Sequence, residues 1–432
     1  MPTKRRPLTA WLESAPRPLF AAYAVLTSFS VYFFMFAFRK PFAAAEYEGL
    51  KFLGTEVDLK TALVIGQVSG YGLCKYAGIK FCSEMSRAAR AQTLVLMILI
   101  AEAALLLFAV LPDDWKVAAI VLNGFPLGMT WGLVVWYLEG RRTSELLLAG
   151  MSCSYIVASG VFKDAGLTLI NRFHVAETWM PVTTGLCFLP AYLLAVWLLD
   201  QLPDPDREDK AVRVRREPMS GAERASLLMR FLLGFILLSV VYFFLNAYRE
   251  YRDNFGKEIF RELGYDQEPA VFSQAEIAVA FGVMTALAAL NLIKNNRLGL
   301  TGAFAIITGG TMLLGLSSVL RQGGMISGFQ WMVLVGLGAY LAYVPFGSVL
   351  FDRLIASTRA VGTAVFAIYV ADALGYTGTI SVMLYSDLFA GDVSRLHFFE
   401  NLTFFMSVTG TVLLAAAGSY FVYKSRSPLQ SS

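Results

Sequence analysis

The sequence predicts an all-α membrane protein with twelve transmembrane helices arranged as two six-helix bundles. First, 56% of its 432 residues are apolar, and many runs of about 20 residues carry almost no charge, which is the length that a helix needs to cross a bilayer. Second, one long charged stretch divides these runs into two groups of six. Third, the first helix of each group carries nearly the same residues. A soluble globular protein would have no partner to bury so many apolar runs.

The predicted helices are bounded by charged residues and by clusters of proline or glycine. Apolar length between these boundaries is the main signal for a membrane-spanning helix. The helices cover residues 18–40, 61–81, 92–112, 116–138, 147–170, 178–200, 227–249, 271–294, 299–320, 328–351, 360–385 and 399–423.

These boundaries divide the chain into five regions. Residues 1–17 form an N-terminal tail, and residues 18–200 form the first six-helix bundle. Residues 201–226 are charged and contain prolines, which is typical of a linker. Residues 227–423 form the second six-helix bundle, and residues 424–432 form a C-terminal tail.

The distribution of basic residues predicts the orientation of the chain in the membrane. Both tails, the linker and alternate loops are rich in Lys and Arg, whereas the opposite loops are poorer and include the acidic stretch LPDDWK. Cytoplasmic loops of membrane proteins carry an excess of Lys and Arg. We therefore expect a multi-pass protein of the cell (inner) membrane with both termini in the cytoplasm.

Composition argues against several other classes of protein. The net charge is only +4, and the basic residues lie in short loops, so no nucleic-acid partner is expected. The four cysteines show no metal-ligand spacing, and the two histidines lie in predicted loops, so neither a metal site nor a cofactor is expected. The sequence contains no nucleophile elbow and no pair of carboxylates with access from a loop, so we expect no enzyme.

The first and seventh predicted helices contain an internal repeat. The segment VYFFMFAFRK (residues 31–40) aligns with VYFFLNAYRE (residues 241–250), and seven of ten positions are identical or exchange Phe for Tyr. Arg39 falls on Arg249, 210 residues later. Duplicated bundles are common in membrane transporters, whose substrate site forms where the repeats meet.

Two further pairs of helices repeat in the same order. In the fifth and eleventh helices, Asp164 lies opposite Asp372, 208 residues later. In the fourth and tenth helices, the basic ends Arg141 and Arg353 are 212 residues apart. Three pairs at nearly one offset indicate a duplication. Two parallel six-helix repeats joined by a cytoplasmic linker are the architecture of the major facilitator superfamily.

Several motifs resemble one family of that superfamily, the organophosphate:phosphate antiporters, which include glycerol-3-phosphate and hexose-phosphate transporters. The run YFFMFAFRKPF (residues 32–42) is similar to the family's first-helix signature, in which an Arg-Lys pair follows aromatic residues. Three other runs resemble family segments in the second, fourth and eleventh helices: SGYGLCKYAG (69–78), GMTWG (128–132) and RAVGTAVF (359–366).

The resemblance implies a central site in which one arginine from each half binds a phosphate oxyanion. These arginines would be Arg39 and Arg249. Lys75 matches the family's second-helix lysine, and Lys163 in GVFKDAG stands where the family carries a site histidine. Arginine suits the role because its forked guanidinium binds phosphate in a bidentate way and stays charged when desolvated.

Other residues complete the predicted site. The carboxylates of Asp164, Asp372 and Glu102 lie in apolar helices and are candidates for proton coupling or ion pairing. Lys40 is predicted at the rim, and Arg252 is the reserve candidate for Arg249. Six aromatic residues are candidate substrate contacts by analogy with the resembling family: Tyr32, Tyr71, Trp131, Tyr242, Tyr343 and Tyr376.

The cations also have structural explanations that the sequence leaves open. Arg39 lies 22 residues after Arg17, which is a full crossing of the bilayer, so it could simply snorkel at the outer interface. Arg249 is followed at once by further charges, and Lys75 could reach the cytoplasmic interface. Each of these residues could therefore belong to a membrane boundary instead of a site.

The remaining candidates have structural alternatives as well. Lys163 could form a purely structural pair with its neighbour Asp164. Glu102 could pair with a cation within its own half of the chain. Each aromatic residue could serve packing alone.

We expect a secondary transporter that moves a small anionic metabolite by alternating access. The resemblance favours phosphate or an organophosphate as this substrate, and it leaves open whether transport is antiport with phosphate or coupled to protons. The alternative is a non-transporting membrane sensor of the same fold, which would have a signalling partner. The other expected partner is the lipid bilayer, and a monomer is the superfamily's default.

Overall fold

Helices account for most of the chain in a computed structural model, which describes residues 7–84, 87–138, 144–204, 229–265, 268, 270–358, 364–390 and 393–426. Within these ranges the only β-type pairing is an isolated bridge between Lys51 and Asp58. Predicted features in the remaining residues lie outside the described part of the chain. They include most of the predicted linker and the basic end at Arg141.

The first half of the chain contains a short helix, α1 (Pro7–Ser14), followed by six long helices. Each long helix overlaps one of the helices predicted from apolar length. They are α2 (Arg17–Met35), α3 (Leu59–Glu84), α4 (Arg87–Val110), α5 (Asp113–Leu138), α6 (Ser144–Phe173) and α7 (Met180–Leu199).

The second half contains six long and two short helices within the described residues. Its helices are α8 (Leu232–Asn254), α9 (Gly256–Glu262), α10 (Val271–Asn291), α11 (Asn296–Gln322), α12 (Gly328–Pro345), α13 (Phe351–Thr358), α14 (Ala364–Leu388) and α15 (Arg395–Arg426). A π-helical turn, Phe346–Leu350, joins α12 to α13. The helix predicted at 328–351 is therefore continuous in the structure, but it changes from α-helical to π-helical winding after Pro345.

Ten helical segments of the described residues are long and apolar enough to cross a membrane. Two further helices, α3 and α14, have comparable length, 26 and 25 residues. The protein is therefore a multi-pass membrane protein, and the predicted all-α fold of twelve long helices is confirmed.

The chain divides into two compact units. The first comprises Met1–Arg215 together with Pro269–Gln274, and the second comprises Arg216–Glu268 together with Ala275–Ser432. Within the first unit, α2 lies against α6 and α7, and α4 lies against α5 and α7. Within the second unit, α8 lies against α14 and α15, and α11 lies against α12 and α15. When the long helices of each unit are numbered in chain order, the same four pairs of helices are in contact in both units.

Glycines allow α3 and α5 to approach each other closely in the first unit. Gly66 and Gly70 of α3 face α5, while Gly124 and Gly128 of α5 face α3. A Cβ atom on Gly128 would lie only 2.9 Å from the carbonyl oxygen of Tyr71. Small residues four positions apart permit such backbone contact between membrane helices. This contact fixes the stretch of α3 that carries Tyr71.

Candidate functional site

The first membrane helix ends just before the Arg-Lys pair, and the chain that follows stays buried. After α2 ends at Met35, a 3-10 turn covers Phe36–Phe38, and a second 3-10 turn covers Pro41–Ala44. Proline fits the first position of such a turn because that position needs no backbone N–H. Arg39 is 9% exposed and Lys40 is 2% exposed. Both basic side chains are therefore enclosed by protein.

Two buried amide side chains hold the turn that carries Arg39. Nε2 of Gln67 donates hydrogen bonds to the carbonyl oxygen of Arg39 at 2.9 Å and to Oδ1 of Asn123 at 3.1 Å. Nδ2 of Asn123 donates to the carbonyl oxygens of Phe38 at 3.1 Å and Ala101 at 3.0 Å. The bonds to Arg39 and Phe38 satisfy carbonyl groups at the end of the first membrane helix, and the bond to Ala101 ties this turn to α4.

Neither amide was among the predicted site residues. Gln67 and Asn123 are both fully buried, at 3% and 0% exposure. Polar side chains inside apolar membrane helices are rare and costly, so their presence was a usable signal. They position the arginine through its backbone, which a search for charged residues does not detect.

Aromatic rings surround the guanidinium group of Arg39. Its Cζ atom lies 4.5 Å from the ring centroid of Tyr71 and 5.3 Å from that of Phe36. The Tyr71 hydroxyl is hydrogen-bonded to the Tyr32 hydroxyl at 3.2 Å. The Tyr32 ring packs edge-on against Trp131, with centroids 5.0 Å apart. The first unit therefore brings four predicted residues into one cluster, in which a cation lies over aromatic faces.

The second unit contains a comparable cluster around Arg249. The Cζ atom of this arginine lies 4.4 Å from the ring centroid of Tyr343. Tyr343 stacks on Tyr242 with centroids 5.5 Å apart. The Tyr242 hydroxyl donates a hydrogen bond to Oδ1 of Asp372 at 2.8 Å. Four predicted residues thus meet in this unit as well.

The aromatic pairs of the two clusters are related by the internal repeat. Tyr32 and Tyr242 are 210 residues apart, and Trp131 and Tyr343 are 212 residues apart. Each pair packs ring to ring within its own unit. The ring that meets the guanidinium differs, because it comes from α3 in the first unit and from α12 in the second.

Arg249 also forms an ion pair with the residue that follows it. Its Nη2 atom lies 2.6 Å from Oε1 of Glu250 and 3.2 Å from Oδ1 of Asn246. Nδ2 of Asn246 donates to Oγ1 of Thr379 at 2.9 Å. Glu250 and Asn246 are absent from the predicted site. The repeat revealed Glu250 only as the residue opposite Lys40.

Arg252, the reserve candidate, connects three helices of the second unit. Its Nη1 atom lies 2.6 Å from Oε1 of Glu276 on α10, and its Nη2 atom donates to the carbonyl oxygen of Met332 on α12 at 2.9 Å. Arg252 and Glu276 are 4% and 5% exposed. A Cβ atom on Gly336 would lie 2.7 Å from the Arg252 Cζ atom, so the guanidinium fills the space that this glycine leaves.

Lys163 and Asp164 lie on α6 and contact the segment 269–274, which belongs to the same unit. Nζ of Lys163 lies 4.9 Å from the ring centroid of Phe272, and the lysine is 2% exposed. Oδ2 of Asp164 accepts a hydrogen bond from the backbone N–H of Ser273 at 2.7 Å. This N–H lies in the first turn of α10, where backbone donors have no partner within the helix.

Glu102 is a buried carboxyl group on α4. It is 7% exposed, and neither of its oxygens has a hydrogen-bond partner among the described residues. The carboxyl lies against Gly185 of α7, where a Cβ atom would collide with it and would lie 3.0 Å from the Phe38 ring. The ion pair that was one alternative for Glu102 is therefore not found in the described part of the chain.

Two predicted residues remain. Lys75 lies on α3, but its side chain is outside the described part of the structure. Tyr376 lies on α14, one helical turn after Asp372, and is half-buried. Residues four positions apart share a helix face, so Tyr376 lies on the face of α14 that carries Asp372. The described residues contain no group of three or more His, Cys, Asp or Glu that could hold a metal ion.

Solved structures with the same fold cover nearly the whole chain. A D-xylose-proton symporter has a TM-score of 0.63 at 14% identity and covers 92% of this chain and 97% of its own. A structure from work on substrate recognition in proton-dependent oligopeptide transporters has a TM-score of 0.61 at 13% identity. It covers 94% of this chain and 99% of its own. A nucleoside transporter has a TM-score of 0.58 at 13% identity, and it covers 92% of this chain and 99% of its own.

These similarities show that the chain shares its fold with the three transporter structures. No curated protein matches the sequence. Residues 41–424 match DUF5690, a family of unknown function, and the protein belongs to that family.

Proposed function

We propose that this protein is a secondary transporter of a small anionic metabolite, with phosphate or an organophosphate as the substrate. The observation that carries the proposal is the presence in each unit of one largely enclosed arginine with its guanidinium against a tyrosine ring. Arg39 lies against Tyr71, and Arg249 lies against Tyr343. The major facilitator fold supports the proposal because its transporters bind substrate between two such repeats.

The chemistry of these arginines favours an oxyanion. A ring over Cζ occupies the face of the guanidinium, while its N–H groups point along its plane, which is the direction from which an oxygen acceptor binds. Two forked donors can bind several oxygens of one phosphate group. Lys40, which follows Arg39 and is buried, adds positive charge to the first unit.

Transport would proceed by alternating access, with the arginine of each unit proposed as a ligand of the anion. We favour antiport with phosphate, because the sequence motifs resemble those of the organophosphate:phosphate antiporters. Glu102 is the candidate for a proton-carrying group if transport is coupled to protons. On the Lys and Arg bias of the loops we place the protein in the cell (inner) membrane with both termini in the cytoplasm.

Counterflow in liposomes tests this proposal. Purified protein is reconstituted into liposomes loaded with phosphate, and the uptake of labelled phosphate and labelled glycerol-3-phosphate is followed. We expect uptake of at least one of these anions, its dependence on internal phosphate, and no uptake of labelled xylose as the neutral control. Liposomes without protein give the background.

The same preparation distinguishes the sensor alternative. Tight binding of either anion to the purified protein without any flux would indicate a sensor of the same fold. Neither binding nor flux with any of these anions would contradict the proposed substrate class.

A further inference from the structure

We propose that Glu250 is an internal counter-anion of Arg249, which the substrate displaces, and that it thereby sets the affinity of the second unit for its anion. This inference rests on the proposed function, because it assigns a role in the same site. Its basis is the difference between two Arg–Glu pairs whose arginines lie on α8, and the way in which Glu250 is anchored.

The Arg249–Glu250 pair is not one that helix geometry favours. Adjacent residues on an α-helix point in different directions and do not face each other. Nevertheless Nη2 of Arg249 lies 2.6 Å from Oε1 of Glu250, and Glu250 is 2% exposed. The two side chains therefore bend toward each other, and the carboxylate occupies a guanidinium donor that an external oxyanion would use.

Glu250 has a second anchor that does not depend on Arg249. Nδ2 of Asn254 lies 3.0 Å from Oε2 of Glu250 and also donates to the Glu250 carbonyl oxygen at 2.8 Å. A buried carboxylate that keeps a hydrogen-bond donor is far less costly than one left without any. Glu250 can therefore release Arg249 to a substrate while Asn254 still holds its other oxygen.

The second Arg–Glu pair has the opposite character. Arg252 joins Glu276 of α10 at 2.6 Å and the Met332 carbonyl oxygen of α12 at 2.9 Å. Moving Arg252 out of this position would break its bonds to two neighbouring helices. Arg252 therefore stabilises the contacts between helices of the unit, whereas the ion-pair partner of Arg249 lies on the same helix as Arg249.

The repeat aligns this counter-anion with a basic residue of the first unit. Glu250 stands 210 residues after Lys40, so the first unit carries a cation where the second carries a carboxylate. The two half-sites therefore differ in charge beside the arginine. The first unit has two adjacent basic residues at these positions, and the second has an arginine whose bond to Glu250 must be exchanged.

Titration calorimetry with inorganic phosphate on the purified full-length protein tests the inference. We expect Glu250→Gln to bind phosphate about tenfold more tightly than the wild type, since the neutral amide no longer competes for Arg249. Glu276→Gln is the matched control, and it should lower the thermal stability and leave the affinity within about twofold. In an Arg249→Met background, Glu250→Gln should have no effect on affinity, because the group it competes for is absent.

The outcomes separate this inference from the proposed function. If the wild type binds phosphate and Glu250→Gln binds it equally or more weakly, the inference is wrong and the proposed function stands. If neither phosphate nor glycerol-3-phosphate binds to the wild type or to Glu250→Gln, both are wrong. Glu250→Ala serves as the second variant where Glu250→Gln fails to fold, with the same expected gain in affinity.

Discussion

Arg39→Lys and Arg249→Lys should each weaken the binding of phosphate by about 30-fold, although both substitutions keep the charge. Lysine presents a compact ammonium group and cannot reproduce the planar fork of donors or its stacking on a tyrosine ring. Truncating one partner of a buried, hydrogen-bonded charge pair costs about 2–5 kcal/mol. The lower figure corresponds to roughly 30-fold in Kd, because every 1.4 kcal/mol is about tenfold.

Titration calorimetry of the two variants with phosphate measures this effect. Arg321→Lys provides a matched control within the second unit. Arg321 also lies over an aromatic ring, with Cζ 4.5 Å from the Trp331 centroid, and it pairs with Glu400. It lies outside the proposed site, so its replacement should change Kd by less than about twofold. Lysine variants at 39 and 249 that bind phosphate as tightly as the wild type would contradict the assignment.

Glu276→Ala should destabilise the second unit by about 3–5 kcal/mol, because it leaves the guanidinium of Arg252 buried without its carboxylate. The double replacement Arg252→Met with Glu276→Leu should cost much less, since apolar residues of similar volume remove both charges together. Denaturant unfolding of the purified protein, followed by tryptophan fluorescence, measures the change in the free energy of unfolding.

An exposed ion pair supplies the control for this measurement. Nζ of Lys51 lies 2.7 Å from Oδ1 of Asp58, and the two side chains are 46% and 43% exposed. Asp58→Asn should change the free energy of unfolding by less than about 1 kcal/mol, because water screens such a pair. Equal costs for Asp58→Asn and Glu276→Ala would mean that the Arg252 pair does not stabilise the unit.

The fold could be predicted from the sequence because membrane helices are encoded by a simple quantity, the length of an apolar run. The repeat between residues 31–40 and 241–250 added the division into two similar units. The positions of the helix ends were predicted less accurately. The first helix was predicted to reach residue 40, whereas α2 ends at Met35, because Phe36–Phe38 are as apolar as a helix but form a 3-10 turn. Hydropathy does not distinguish these two windings.

The candidate site could be predicted only in part. Repeat and family motifs pointed to residues that the structure gathers into two clusters, such as Arg39 with Tyr71 and Arg249 with Tyr343. The contacts of Gln67 with the Arg39 turn could not be predicted, because they depend on how α3 is rotated against its neighbours. Apolar length fixes where a helix lies in the sequence but not which face meets which helix.

Counterflow with the double variant Arg39→Ala/Arg249→Ala tests the central claim most directly. The protein and the variant are reconstituted at equal density into phosphate-loaded liposomes, and entry of labelled phosphate is measured. Our account predicts rapid exchange by the wild type and only background entry with the double variant, while Arg321→Lys exchanges like the wild type. Exchange that persists in the double variant would show that the anion is bound elsewhere in the molecule.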